Sequence, residues 1–187
     1  HNLKYAVSTT SGTTALHTAI SALNIKQGDE VLVPSLTFVS SASIILQQQA
    51  IPVFVDINPL TFCIDTVDLE SKITKRTKAV IIVHLYGHSA EMKTIMRIIK
   101  KYNLKIIEDC AQSHGAKYKG RYVGTFGDIA CFSFYQTKNL TCGEGGAVTC
   151  NDQTMADWLI KGRQHGMSKQ AADRYTKRYE HYDMEFL

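Results

Sequence analysis

The sequence predicts an α/β fold: a mostly parallel sheet with helices on both faces. Two observations carry this. Short apolar runs of strand length alternate with helical stretches through Asp109, the signature of βαβ units. The runs are apolar almost throughout, as strands buried on both faces are.

Taken in order, an apolar patch at Tyr5 to Val7 precedes "TTALHTAISALN", Thr13 to Asn24, where Ala15, Leu16, Ala19, Ile20 and Leu23 recur at helical spacing. "EVLVP" from Glu30, "PVFVD" from Pro52, "KAVIIVH" from Lys78 and "LKIIED" from Leu104 read as buried strands. Helices are expected between them, in "TFVSSASIILQQQ" from Thr37, in a shorter turn near Val67 to Ile73, and in "AEMKTIMRIIKKYN" from Ala90 to Asn103. Beyond Asp109 comes a glycine-rich region, "HGAKYKGRYVGTFGD", then strand-like "IACFSF" and "GGAVTC", then a helix from about Asp152 to His165. Crossovers of this kind are right-handed, and ligands collect at the carboxyl ends of the strands.

With 187 residues, 44% of them hydrophobic and 20% charged, the chain can bury a substantial core in one domain of ordinary size. Its 21 basic and 17 acidic side chains leave a net charge of +4, scattered along the chain, which argues against a nucleic-acid partner. No apolar segment approaches the ~20 residues of a membrane span. Cys63, Cys110, Cys131, Cys142 and Cys150 form an odd set without a Cys-x-x-Cys pair, which points to free thiols in a reduced, cytoplasmic setting. The chain begins on a strand approach and stops at "HYDMEFL" without a closing element, so a longer protein is expected to extend beyond both ends.

Several polar groups fall at one edge of such a sheet. "TSGTTAL", Thr10 to Leu16, is a small-residue turn entering a helix; its free N–H groups suit a phosphate, and Ser11 or Thr13 equally suits a plain cap. Asp109 ends an apolar strand, where a carboxylate is desolvated unless it finds a cation; helix capping is the other reading. Lys138 lies between Ser133 and the loop Gly143 to Gly146. It reads as a surface charge or as an imine-forming nucleophile, which burial and electropositive surroundings would activate. Phe38 reads as core or as a cover for a flat ring.

In order and spacing these blocks resemble the DegT/DnrJ/EryC1/StrS family of nucleotide-sugar aminotransferases, fold type I pyridoxal-phosphate enzymes. The resemblance rests on "SGTTALH" at Ser11, "VPSLTFVSSA" at Val33, "PVFVDI" at Pro52, "VHLYG" at Val83, "EDCAQSHGAKYKGRYVG" at Glu108, "GDIACFSFYQTKNLTCGEGGAVTCND" at Gly127 and "RQHG" at Arg163. It implies that residues 1–187 are an aspartate-aminotransferase-like large domain of three layers around a seven-stranded, mainly parallel sheet, without the family's N-terminal helix and small C-terminal domain.

The resemblance also implies roles. Lys138 would hold pyridoxal 5′-phosphate as an internal aldimine, and Asp109 would pair with the pyridinium nitrogen. Two unit charges at ~4 Å attract by about 4 kcal/mol at an effective dielectric of ~20, enough to keep the ring protonated. Gln112 would lie near the ring's phenolic oxygen, Phe38 over the ring, and Gly12, Thr13 and Ser133 around the phosphate. An amino donor, usually glutamate, would load the cofactor, which then aminates a ketone on a nucleotide-linked sugar, with Lys138 as proton shuttle. Members that remove a sugar hydroxyl carry histidine at the lysine position, so Lys138 favours transamination. A sugar dehydratase or other non-transaminating member, and a non-enzymatic regulator of the same fold, remain as alternatives. The family further implies a cytoplasmic homodimer in polysaccharide or O-antigen biosynthesis; sugar, nucleotide and ring carbon stay open.

The remaining polar residues take bland readings. His84, His88 and His114 lack ligand spacing and are expected to be structural, with no metal bound. The basic stretch Lys161 to His181 is expected to be a solvated loop, with contact to a diphosphate as its other reading. Glu144 is set aside as non-catalytic, because its glycine neighbours point to tight backbone passage near the cofactor.

Overall fold

The computed structural model describes residues 1–167. The chain runs through β1 (Tyr5–Thr9), α1 (Gly12–Ala22), β2 (Glu30–Pro34), α2 (Ser40–Gln47), β3 (Ile51–Val55), α3 (Thr66–Ser71) and β4 (Thr77–Val83). It continues through α4 (Met92–Tyr102), β5 (Lys105–Asp109), β6 (Lys117–Tyr118), β7 (Arg121–Tyr122), β8 (Ile129–Ser133), β9 (Gly146–Cys150) and α5 (Gln153–Gly162). Seven strands form one sheet in the order β1-β9-β8-β5-β4-β2-β3, and β6 with β7 forms a separate hairpin. Neighbours from β8 to β3 pair parallel, and β9 alone runs against both of its neighbours, β8 and β1. The seven-stranded, mainly parallel sheet expected from the sequence is present.

Alternation along the strands builds the layers. Val31, Val33, Ile81, Ile107 and Cys131 pack with Ile20 of α1, Ile44 of α2 and Leu159 of α5 on one face. Leu32, Val80, Ile82 and Ile106 face the opposite way, onto Leu69 of α3 and Ile95 and Ile98 of α4. Successive side chains point to opposite faces, and here both faces are covered, so these strands read as continuous apolar runs.

Caps set the helix boundaries. The Ser11 hydroxyl accepts the Thr14 N–H while the Thr14 hydroxyl accepts the Ser11 N–H, a capping box that opens α1 at Gly12, one residue before the helical stretch expected from Thr13. Asp65 and Asp152 cap α3 and α5 from outside, so the helix expected from Asp152 starts at Gln153. The helix expected from Thr37 starts at Ser40, and Thr37 instead places its hydroxyl on Ser41. Asn103, left-handed at φ 51°, terminates α4. The β6–β7 hairpin had no signal in the sequence reading, because strands of two residues carry no periodicity. Its turn is nonetheless well specified: Lys119 and Gly120 have φ of 49° and 85°, the paired left-handed conformation that suits a two-residue hairpin.

The carboxyl ends of β2, β4, β5 and β8 lie along one edge, and α1 crosses β8 and β9 with its amino end at the same edge. Two glycines permit this approach. A Cβ at Gly12 would lie 2.7 Å from the Ser133 Cβ, and one at Gly146 would collide with the Ser11 carbonyl and the Thr9 hydroxyl. The glycine loop was expected to clear the cofactor; at Gly146 it is the Ser11 turn that requires the clearance.

Gly146→Ala is expected to destabilise the protein by about 1–3 kcal/mol, because backbone on both sides must move. Gly143 has φ of 87° and open surroundings, so Gly143→Asn should stay within about 1 kcal/mol of the parent. Urea denaturation midpoints of the two variants distinguish them; equal midpoints would contradict the packing argument.

Candidate active site

The amino end of α1 leaves backbone donors free. Its capping box uses Ser11 and Thr14, which leaves the N–H groups of Gly12 and Thr13 without an acceptor among the described residues. The first turn carries no acidic side chain that would compete. Ser133, buried at the end of β8, stands against Gly12, and the Thr13 hydroxyl lies 2.7 Å from that of Ser40.

Asp109 ends β5 and is only 5% exposed. Its Oδ1 accepts the Ala111 N–H at 3.1 Å, and its Oδ2 accepts the Ser41 hydroxyl at 2.8 Å. Burial raises its proton affinity above the ordinary carboxylate value of 3.8; these two donors pull it back, as do His84, when protonated, and Lys138.

Lys138 follows β8 on a turn in which its own N–H donates to the Tyr135 carbonyl at 2.9 Å. The segment is pinned at its base by Phe134, which donates to the Gly145 carbonyl at 2.8 Å and accepts the Cys142 N–H at 3.0 Å. The lysine is half-buried, and its ammonium has no acceptor among the described residues.

Gly12, Thr13, Phe38, Asp109, Gln112, Ser133 and Lys138 all line one cavity of about 420 Å³. Phe38 is 65% exposed, which removes the reading of this residue as core: the chain leaves β2 at the sheet edge and carries the ring out over the cavity before α2 begins. Gln112 is oriented by backbone: its Oε1 accepts the Tyr86 N–H at 2.8 Å, which leaves its amide NH₂ as the free donor. Tyr86 makes that bond from a left-handed φ of 54°.

Four further side chains belong to the cavity wall or its support. Glu144, set aside on sequence, lines the cavity, as do Thr37 and Ser40. Ser41 touches Asp109 from behind and is fully buried. In the sequence, Ser40 and Ser41 read only as small polar residues at the start of a helix, and their tertiary partners left no local signal.

Two of the histidines are buried or half-buried among protein groups. His84 Nδ1 accepts the Ala90 N–H at 3.1 Å, so its Nε2 carries the proton and donates to Glu108 at 3.0 Å. His84, Glu108 and Cys110 place ligand-type atoms within 4.8 Å of one another. Both His84 nitrogens are engaged, and Glu108 also accepts the N–H groups of Gly124, Phe126 and Gly127 at 2.6–2.7 Å. Burial, with Glu108 and Asp109 alongside, pushes the Cys110 thiol well up, which keeps it a poor ligand. His114 packs against Phe132 and Phe134. Of the basic stretch, residues 168–181 lie outside the described residues; Arg163 is fixed to Ser8, donating to its carbonyl at 3.0 Å and its hydroxyl at 2.6 Å.

The α/β architecture with its mostly parallel seven-stranded sheet is that of fold type I aminotransferases. The chain belongs to the DegT/DnrJ/EryC1/StrS aminotransferase family, which it matches over residues 1–185. It is 47% identical over 168 residues to a GDP-perosamine synthase of Escherichia coli O157:H7, covering 90% of this chain and 46% of that protein. It is also 47% identical over 163 residues to a UDP-N-acetyl-3-dehydro-alpha-D-glucosamine 3-aminotransferase of Acidithiobacillus ferrooxidans, covering 87% of this chain and 44% of the relative. Among solved structures, an aminotransferase from Psychrobacter cryohalolentis superposes with a TM-score of 0.88 at 42% identity, over 96% of this chain and 45% of that one. The chain thus spans about half the length of the relatives it matches.

The burial of Asp109 has a measurable consequence. Its folded-state proton affinity is raised, so the stability it contributes is fully present below the ordinary carboxylate value and is lost as pH rises through the folded one. Asp109→Asn cannot ionise and escapes this loss. The melting temperature of the ligand-free variant, relative to the parent, is expected to increase steadily from about pH 4 toward neutrality. A difference that does not change with pH would show that burial does not burden this carboxylate.

Proposed function

We propose that the protein transfers an amino group to a nucleotide-linked keto sugar, with pyridoxal 5′-phosphate as cofactor and glutamate as donor. The observation that carries this is the convergence of Lys138, Asp109 and the amino end of α1 on one cavity. Each fits a different part of the cofactor. The unpaired N–H groups of Gly12 and Thr13, with Ser133, suit the phosphate. Asp109 is a buried carboxylate without a salt-bridge partner among the described residues and suits a ring cation. The cavity volume falls within the ~300–1,000 Å³ usual for small-molecule sites.

When bound, the cofactor supplies the carbonyl that takes up the amino group and the electron sink that acidifies the donor's α-carbon. Asp109 would hold positive charge at the ring nitrogen, Gln112 would offer its NH₂ to the phenolic oxygen, and Phe38 would cover the ring. Lys138 Nζ would take the proton from the donor's α-carbon and, in the sugar half-reaction, give a proton to the carbon that receives nitrogen. A lysine at position 138, in place of the histidine of hydroxyl-removing members, favours amino transfer over dehydration. The names of the relatives, which concern GDP- and UDP-linked sugars, support a nucleotide-sugar acceptor.

The same reading makes residues 1–187 the cofactor-binding large domain of a longer chain, working as a homodimer in the cytoplasm and serving polysaccharide biosynthesis. The relatives' greater length supports the first of these. Sugar, nucleotide and ring carbon can be assigned by a panel of UDP-, GDP- and dTDP-linked keto sugars.

The whole protein, given pyridoxal phosphate and glutamate, is expected to release 2-oxoglutarate. Lys138→Ala should lose the visible absorbance of the covalently held cofactor and at least about a hundredfold of the transfer rate. Full activity in this variant, or no 2-oxoglutarate from the parent, would refute the assignment.

A further inference from the structure

Asp109 is described above by what it faces; what stands behind it is a chain of hydroxyls. Ser41 Oγ lies 2.8 Å from Asp109 Oδ2, and Thr37 Oγ1 lies 2.9 Å from Ser41 Oγ. The direction of donation follows from the acceptor. A carboxylate can only accept, so Ser41 donates its single proton to Asp109, and its oxygen must then accept from Thr37. Thr37 lines the cavity, whereas Ser41 is fully buried, so the chain leads from the cavity wall to the far side of the carboxylate. Bonds aligned in this way polarise one another.

Resting on the reading of Asp109 as partner of the ring nitrogen, we propose that Ser41 is a positioning residue for this reaction, with Thr37 acting through it. The pair favours the ionised form of Asp109 against the burial that opposes it, and fixes Oδ2. The adjacent serine contributes at the other end of the site. Ser40 meets the Thr13 hydroxyl at 2.7 Å, so the first turn of α2 braces both the carboxylate and the amino end of α1.

The other groups around Asp109 do not substitute for the hydroxyls. On its own strand and the residue beyond it, Glu108 is directed to His84 and to the N–H groups of Gly124, Phe126 and Gly127, and Cys110 is a buried thiol. From β8, Cys131 pairs with Asp109 in register and is likewise buried. From the end of β4, His84 gives its ring proton to Glu108 and its backbone N–H, at 3.2 Å, to the Asp109 carbonyl. Lys138 is across the cavity on the loop after β8. Apart from the Ala111 N–H, Ser41 is the only described hydrogen-bond donor to the Asp109 carboxylate.

The test measures Asp109 itself. The whole protein, labelled with ¹³C at aspartate carboxyls and free of cofactor, is titrated by NMR, with Asp109→Asn identifying the resonance. Ser41→Ala is expected to move the Asp109 midpoint to higher pH, and Thr37→Val to move it less in the same direction. The double variant should match Ser41→Ala, because Thr37 has no other route to the carboxylate. In parallel, the dissociation constant for pyridoxal phosphate should rise about tenfold in Ser41→Ala, the loss of one hydrogen bond to a charged acceptor. If Ser41→Ala does not fold, Thr37→Val alone still carries the prediction. An unchanged Asp109 midpoint in the variants overturns the proposal, as does a Thr37→Val shift that is undiminished when Ser41 is already alanine. A parent protein that does not bind pyridoxal phosphate would refute the cofactor reading, and the ligand-free titration would still decide the role of Ser41.

Discussion

Two neighbouring carboxylates at the end of β5 organise the molecule around the cavity. Glu108 and Asp109 point to opposite sides of the sheet, as successive strand residues must. Glu108 accepts four donors, three backbone N–H groups and the His84 ring, and so ties the loop from Gly124 to Gly127 to the end of β4. Asp109 accepts two and keeps its charge for the cavity. Leaving a buried carboxylate unsatisfied costs far more than a hydrogen bond contributes, so the first residue fixes local structure, while the second, accepting only two donors, is the one that a cation would satisfy.

The rest of the site depends on how closely backbone can approach that strand end. Gly12 lets α1 bring its amino end against Ser133, and Gly146 lets β9 start beside Ser11. Together they close the segment between β8 and β9 so that Lys138 returns to the cavity rather than projecting from the sheet edge. Steric clearance at two glycines therefore places a lysine, a helix dipole and a carboxylate around one small volume.

Much of this was legible in the sequence because it depends on position along a strand or helix. The buried runs gave β2, β4 and β5, and a charged residue ending such a run, Asp109, stood out for that reason. Lys138 beside its glycines read as a surface charge or a nucleophile, and the family resemblance, with Asp109, Gln112, Phe38 and Ser11 to Thr13, is what gave it a role. Less legible was whatever depends on a distant partner. Ser41 looks like any small residue in a helix until Asp109, 68 positions away, is found against it. The orientation of Gln112 depends on Tyr86, 26 positions away, in a left-handed conformation that its residue type does not advertise. Phe38 misled in its isolated reading because an aromatic beside a strand is usually core, whereas here the strand ends at the open edge. Glu144 was passed over because its glycine neighbours dominated the reading of the loop.

The chemistry of the donors around Asp109 bears on how one buried carboxylate, costly to ionise in the empty fold, could still attract a cationic ligand. A lysine or arginine paired with it would neutralise it permanently, and a ring nitrogen would have to displace that partner. Hydroxyl and backbone N–H donors stabilise the ionised form without adding charge, so the attraction for a cation remains. The one histidine ring nearby is consistent with this, since its proton is committed to Glu108. On the protein side, then, no lysine, arginine or charged histidine among the described residues neutralises the carboxylate. A neutral polar shell of this kind is what a site needs if its carboxylate must meet a cation that arrives with the ligand.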